Sequence, residues 1–354
     1  MDVFKRILKI LGIVLAVVVV AALSLFIWLW ATEYRPEAEE PVTVESPVEQ
    51  KLNKNSFTVL SWNIGYCGLG EESDFFMDGG KMVRSDKDLV IKNYAGIQGY
   101  LSGVKADFTL LQEADSDSKR SYSMDEVTSL REKLGQTSAY AMNFCTNYVP
   151  YPWPTIGKVH SGLLTFSRYE ITEATRISLP CPFSWPMSMV NLKRCLLVSR
   201  IPIEGSEREL VLVNLHLEAY DDGEGKLAQS EQLREYLAAE YGKGNYVVAG
   251  GDWNQLFPQA ETRYPNEHPE LWTPELLDKS ELAAGWQYVW DESTPTCRLL
   301  NQPYDPADTE NTQYYVIDGF LVSPNLIVES VETMNEGFTY SDHNPVLLTL
   351  SLGD

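Results

Sequence analysis

The sequence predicts an α+β protein in which two mixed β-sheets pack together with helices outside, preceded by one transmembrane helix. Three observations carry this reading. An uncharged apolar run near the N-terminus is long enough to cross a bilayer. Further on, short apolar runs with strand character recur, and two stretches with helical spacing lie among them. No linker, repeat or low-complexity tract interrupts residues 56–354, so these elements belong to one domain.

The first run extends from Ile10 to Ala31 and reads ILGIVLAVVVVAALSLFIWLWA. Roughly 20 such residues span a hydrocarbon core as a helix. Lys5, Arg6 and Lys9 precede it, and Glu33, Glu37, Glu39 and Glu40 follow it. The positive-inside rule therefore places residues 1–9 in the cytoplasm and everything after residue 31 outside, in a single-pass cell-membrane topology. Trp28, Trp30 and Tyr34 fit an outer aromatic belt. A cleaved signal peptide is the rival, but its apolar region spans about 7–15 residues and ends in small side chains. This run is longer and ends in Phe, Ile and Trp. Residues 32–55 are rich in Glu, Pro, Val and Ser and read as a solvated stalk.

The expected strands are Ser56–Asn63, Phe108–Gln112, Ser161–Ser167, Leu192–Pro202, Glu209–Leu217, Tyr246–Ala249, Tyr314–Val322 and Val346–Leu352. Lys87–Val104 and Gly225–Tyr241 are the expected helices. The 9 Trp, 19 Tyr and 12 Phe supply bulk for a sizeable core. A net charge of −22 opposes non-specific binding to a nucleic-acid backbone, which needs a basic face. Local cations or a metal can offset that charge at a site. The five cysteines show no C-x-x-C spacing, so a zinc knuckle or thioredoxin-like site is not indicated. Cys181 and Cys195 could pair in an oxidising compartment; five small buried side chains explain the cysteines equally well.

Polar residues recur where these strands end. Asn63 closes VLSWN, Glu113 follows TLLQ, Asn214 and His216 close LVLVNLH, and Asp252 and Asn254 close VVAGGDWN. Asp318 lies in YVIDG, and Asp342 and His343 immediately precede the last strand. A carboxylate beside a buried strand needs a partner or a metal. If the ends converge on one cleft, they satisfy one another. Glu113, Asp252, Asp318 and Asp342 with Asn63 and Asn254 form an oxygen-rich set suited to Mg²⁺ or Mn²⁺. No Cys or His cluster of the kind Zn²⁺ prefers accompanies it. Any single histidine here is more simply a hydrogen-bonded structural residue; the joint pattern favours a site.

In order, SWN (61–63), LQE (111–113), NLH (214–216), GDWN (251–254), ID (317–318) and SDHNP (341–345) resemble the motifs of the endonuclease/exonuclease/phosphatase superfamily. That superfamily includes pancreatic-type deoxyribonucleases, neutral sphingomyelinases and inositol polyphosphate 5-phosphatases. The resemblance covers residues 56–352 and implies a four-layer αββα sandwich with the active site at one edge of the paired sheets. It implies Glu113 as principal Mg²⁺ ligand, supported by Asn63, with Asp342 as a second ligand or as a group supporting the ligands from behind. It implies that Asp318 polarises His343 and that Asp252 orients or deprotonates the attacking water. Asn254 would donate to the phosphate. His216 would protonate the leaving oxygen, with Asn214 as a hydrogen-bonding partner at the substrate side. Several relatives carry an acidic or amide residue where this chain has Gly65. His160 has no general counterpart and reads either as a phosphate contact or as a structural residue.

The implied reaction is in-line phosphoester hydrolysis without a covalent enzyme intermediate. A small or lipid-linked phosphodiester is the expected substrate, and an extracellular nuclease is the alternative. The aromatic residues Tyr148, Tyr151, Trp153, Phe183 and Trp185 could touch lipid or a sugar ring, or simply pack as loops. A calcineurin-like phosphatase would need a GNH[DE] motif that does not occur. A catalytically dead binding domain would have lost part of the set, and the set is complete. Oligomeric state has no signature in the sequence.

Overall fold

The computed structural model describes residues 2–221, 224–308 and 310–353. Helix α1 (Asp2–Ala31) carries the apolar run, and Val3–Ala31 is long and apolar enough to cross a membrane. Among the described α1 residues only Leu29 is buried.

The remaining chain is built around two sheets. Among the described residues each has seven strands. The strands through β10 are β1 (Glu39–Pro41), β2 (Val44–Glu45), β3 (Ser56–Asn63), β4 (Phe108–Asp115), β5 (Thr137–Val149), β6 (Gly157–Ser167), β7 (Glu173–Ser178), β8 (Cys195–Pro202), β9 (Glu209–His216) and β10 (Tyr246–Asp252). One sheet runs β1-β7-β8-β9-β10 and continues through Asp318–Val322 to Gln287–Val289. The other runs Leu326–Thr333, Val346–Leu352, β3-β4-β6-β5-β2.

Period-2 alternation sorts the side chains. Phe57, Val59, Phe108 and Leu110 meet Leu210, Leu212, Val248 and Phe320 between the sheets. The intervening Leu60, Trp62 and Leu111 face outward onto Val90, Ile97 and Leu101 of α2 (Lys87–Gly103) and Val127 and Leu130 of α3 (Glu126–Leu134). On the opposite outer face, Val211, Val213 and Val247 pack with Leu233 and Leu237 of α4 (Glu224–Gly242). Helix, sheet, sheet and helix make the four layers expected.

Four differences from the sequence reading have physical causes. The expected strand at Tyr314–Val322 divides, because Thr296 Oγ1 takes the N–H of Ile317 and Asp318 and breaks the ladder between Tyr314–Tyr315 and Asp318–Val322. β5 and β7 carry no clear strand signal, because polar residues interrupt their alternation. Residues 32–55 are not a solvated stalk: β1 pairs with β7, β2 pairs with β5, and Leu52 is fully buried in the inter-sheet core. The five cysteines are free, with Cys195 buried and Cys181 exposed, so the pairing considered for them is absent.

Candidate active site

The polar strand ends converge because the alternation that buries the core continues to the last residue. β3 and β4 are parallel, as are β9 and β10. In β9 the inward set Leu210, Leu212 continues to Asn214 and His216; in β10, Tyr246 and Val248 continue to Gly250 and Asp252. Asp318 opens the strand antiparallel to β10, directly opposite Asp252. Asn63 occupies the inward parity of β3.

Glu113 does not follow parity. Leu111 and Ala114 both face the outer core, and the β4–β6 register shifts between them. Glu113 has φ 56°, in the left-handed region, so the bulge re-aims its side chain toward the cleft. Asn254, also lining the cleft, has φ 50°. Non-glycine residues held there commonly mark functional sites. Gly251 makes the approach of β10 to β9 possible: a Cβ on it would lie 1.9 Å from the Leu215 carbonyl oxygen.

Asp252 is the hub. Its Oδ2 accepts from Asn63 Nδ2 at 3.0 Å and lies 3.3 Å from His216 Nε2 and 3.7 Å from His343 Nε2. Its Oδ1 accepts from the Asn254 N–H at 2.9 Å. The same Asn63 amide donates to Glu113 Oε1 at 3.2 Å, while its Oδ1 accepts from Gly65 N. Asn63 is thus a bracket holding two carboxylates in place. Gly65 itself has φ 50°, and a Cβ there would lie 3.0 Å from Asp342 Oδ1. A side chain at this position would therefore meet the Asp342 carboxylate.

The two buried histidines differ in charge. His343 Nδ1 is 2.8 Å from Asp318 Oδ2. Burial alone would lower its pKa, but Asp318, Cys297, Asp342 and Asp252 outweigh burial and raise it well above the ordinary value. His343 is the imidazolium. Burial, Arg194, His343 and Arg120 push His216 well below its ordinary value, and its Nδ1 has no partner. Burial and the neighbouring cations thus favour the neutral form of His216, whereas its carboxylate neighbours favour the charged form of His343. Burial raises Asp252 to about 7, with His343 opposing and Asp318 adding. Burial raises Asp342 to about 6, with His343 opposing and Glu113 adding.

These carboxylates, crowded and desolvated, fit a hard divalent cation with oxygen ligands. Asp252–Asp318–His343 and Cys297–Asp342–His343 are sets whose ligand atoms lie within 4.8 Å of one another. Glu113 belongs to neither set and reaches the cluster through Asn63.

A cavity of about 350 Å³ opens over this edge, lined by Glu113, His216, Asp252, Asn254, Asp342 and His343 among others. Two of the expected substrate contacts lie elsewhere. His160 is half-buried outside the cavity lining, its carbonyl taken by Ser116 N. Asn214 is fully buried and ties the sheets together, accepting from Gln112 Nε2 (2.8 Å) and donating to Leu111 O (3.0 Å). Asn254 spends one N–H on Leu217 O, leaving the other for a ligand.

Sequence reading missed Arg120. It lies 3.7 Å over the Tyr66 ring, pairs with Asp115 at 3.0 Å, and stands 3.8 Å from Glu113. Its loop, SDSKR, has no periodicity to flag it. Arg194, paired with Glu218 at 3.5 Å, is a second cleft cation without a sequence signal.

A four-layer αββα sandwich with carboxylates, amides and an aspartate-backed histidine at one edge defines a phosphoesterase- and nuclease-like class of fold. The chain belongs to the Endonuclease/Exonuclease/phosphatase family, whose model matches residues 60–343. Members of that family are hydrolases acting on phosphoester bonds, and they generally use divalent metal ions. Similar solved structures include an endonuclease/exonuclease/phosphatase from Beutenbergia cavernae DSM 12333, 18% identical, covering 85% of this chain and 72% of its own, with TM-score 0.58. ANGEL2, a 2′,3′-cyclic phosphatase solved with adenosine-2′,3′-vanadate, is 16% identical, covering 88% and 98%, with TM-score 0.54. The human Nocturnin catalytic domain with bound sulfate is 16% identical, covering 88% and 97%, with TM-score 0.51. No curated protein matches the sequence.

Proposed function

We propose that this chain is a membrane-anchored, Mg²⁺- or Mn²⁺-dependent phosphoester hydrolase whose catalytic domain lies outside the cytoplasm and acts on a small or lipid-linked phosphodiester. The observation that carries the reading is the junction of Glu113, Asp252 and Asp342 with the His343–Asp318 pair at the floor of one cavity. Glu113 and Asp342 are the residues that would hold the metal, with Asn63 fixing Glu113. When bound, the ion supplies Lewis-acid neutralisation of phosphoryl charge.

The chain's own groups account for the rest. Asp252, raised toward neutrality by burial, is matched to take a proton from water near physiological pH. The His343 imidazolium, its Nδ1 engaged by Asp318, presents Nε2 toward Asp252 and Asp342, where it can donate to a phosphoryl or leaving oxygen. The free N–H of Asn254 adds a second donor on the cavity wall. Arg120, held by Asp115 and the Tyr66 ring, contributes fixed positive charge beside Glu113.

The test is hydrolysis of bis(4-nitrophenyl) phosphate by the full chain with Mg²⁺ or Mn²⁺ in oxygen-18 water, with His343→Ala as control. The reading expects metal-dependent turnover with label in the phosphate. No turnover with either metal, or label in the alcohol, would overturn it. Plasmid nicking in place of small-ester turnover would move the assignment to a nuclease.

A further inference from the structure

The anchor and the cavity share a wall. Leu29 of α1 packs with Tyr148, Met189 and Val190. Val190 also lines the cavity. Nearby, the Phe26 and Trp185 rings meet edge to face at 5.4 Å. α1 ends at Ala31, so Phe26 lies about 7.5 Å inside the apolar span. Contact with Phe26 therefore sets Trp185 at the depth where a bilayer's interface gives way to hydrocarbon.

The chain after α1 allows no retreat from that position. Lys193 Nζ donates to Glu33 Oε1 at 3.3 Å, Arg176 lies over the Tyr34 ring, and Ser178 donates to the Glu37 and Ala38 carbonyls. β1 then joins the sheet. Where the sequence pattern suggested a stalk, the fold has a short strap. Within a few residues of leaving α1, the chain is bound to the domain.

Two loops flank this junction, residues 150–156 and 179–194. Their outward side chains are large and apolar: Trp153 is 90% exposed and Trp185 60% exposed. Their inward side chains, Tyr151, Ile156, Phe183 and Leu192, line the cavity that ends at Glu113 and Asp342. Exposed apolar surface of this kind marks an interaction site. Its continuity with a membrane-spanning helix selects a lipid leaflet as the partner over a soluble one.

We infer that these two loops dock into the outer leaflet beside α1, and that the cavity takes a membrane-resident phosphoester by its hydrocarbon chain, head group toward Asp252. The substrate half of this inference rests on the hydrolase reading; the docking half does not.

Two measurements on the full chain in phosphatidylcholine–phosphatidylglycerol vesicles separate them. In a Trp28→Phe/Trp30→Phe background, brominated acyl chains should quench tryptophan emission, and adding Trp153→Ala/Trp185→Ala should remove most of the quenching. Quenching that is absent, or unchanged by the loop substitutions, overturns the docking. The second measurement compares hexadecyl and methyl 4-nitrophenyl phosphate, which share one leaving group. The hexadecyl ester should show a kcat/KM at least about tenfold higher, since each buried methylene favours binding. Trp153→Ala/Trp185→Ala should lower only the hexadecyl value. Equal values for the two esters, or equal losses in the variant, overturn the lipid assignment. A protein that cleaves neither ester fails the hydrolase reading, while the quenching still decides the docking.

Discussion

Asp318 Oδ2 lies 2.8 Å from His343 Nδ1, both residues buried at the edge between the sheets. The carboxylate fixes the ring and holds its proton, leaving Nε2 free to face Asp252. Asp318→Asn keeps the shape and removes the charge. It should lower kcat on bis(4-nitrophenyl) phosphate by about 10²-fold or more, the order attributed to a positioned proton donor. Circular dichroism should show the fold retained.

Asp252 and Asp342 have pKa values raised to about 7 and about 6, chiefly by burial. For a group whose folded pKa is raised, the favourable contribution is complete below the unfolded value near 4 and is lost as pH rises through the folded one. The metal-free protein therefore carries a growing destabilisation between about pH 4 and pH 7. A divalent cation relieves it. The rise in Tm on adding Mg²⁺ or Mn²⁺ should be larger at pH 8 than at pH 5, measured by differential scanning fluorimetry.

Glu113 is the least buried of the acidic set, with its side chain 23% exposed and reached by one Asn63 hydrogen bond. Glu113→Gln should leave the metal-free Tm nearly unchanged and weaken Mn²⁺ affinity by about tenfold or more, the scale seen when metal-site partners are lost. Titration calorimetry reads this directly.

Gly251 has φ 152°, and a Cβ there would overlap the Leu215 carbonyl. Gly251→Ala should destabilise by about 3 kcal/mol through overpacking and strain. Activity should fall with it, because Asp252 is the next residue. Denaturant unfolding gives the first number, and turnover the second.

Asn214 was expected at the substrate and is instead a cross-sheet bracket. Asn214→Ala should cost about 1–3 kcal/mol by orphaning Gln112 and the Leu111 carbonyl. KM for a small phosphodiester should stay within about twofold, whereas a substrate contact would raise it by about tenfold for 1.4 kcal/mol of lost binding.

Most of the site was legible because it is written in strand parity. Where LVLVNLH and YVVAGGD alternate, the inward positions end in Asn214, His216 and Asp252, and period-2 reasoning brings them to one edge. Glu113 was found by its place in LQE, not by geometry: alternation alone would have sent it to the outer face, and only the bulge reverses that. Arg120 comes from a loop, where no periodicity operates, and Arg194, inside the expected strand Leu192–Pro202, lies just ahead of the strand that forms, Cys195–Pro202. The pairing of His343 with Asp318 was expected from the resemblance, but the lowering of the His216 pKa was not legible, because it depends on burial and on Arg194 and Arg120 from distant segments.

By itself the sequence determined the N-terminal apolar helix and which strand ends carry carboxylates and amides, since these follow from local spacing and composition, and its motifs carried the family resemblance. Tertiary structure alone decided that Asn63 also holds Asp252, that Asn214 ties the two sheets together, that burial lowers the His216 pKa, and that residues 32–55 are a strap instead of a stalk. The physical reason is the same in each case. Hydrogen-bond partners, desolvation and edge-strand pairing are relations between residues tens to hundreds of positions apart, and local pattern holds no record of them.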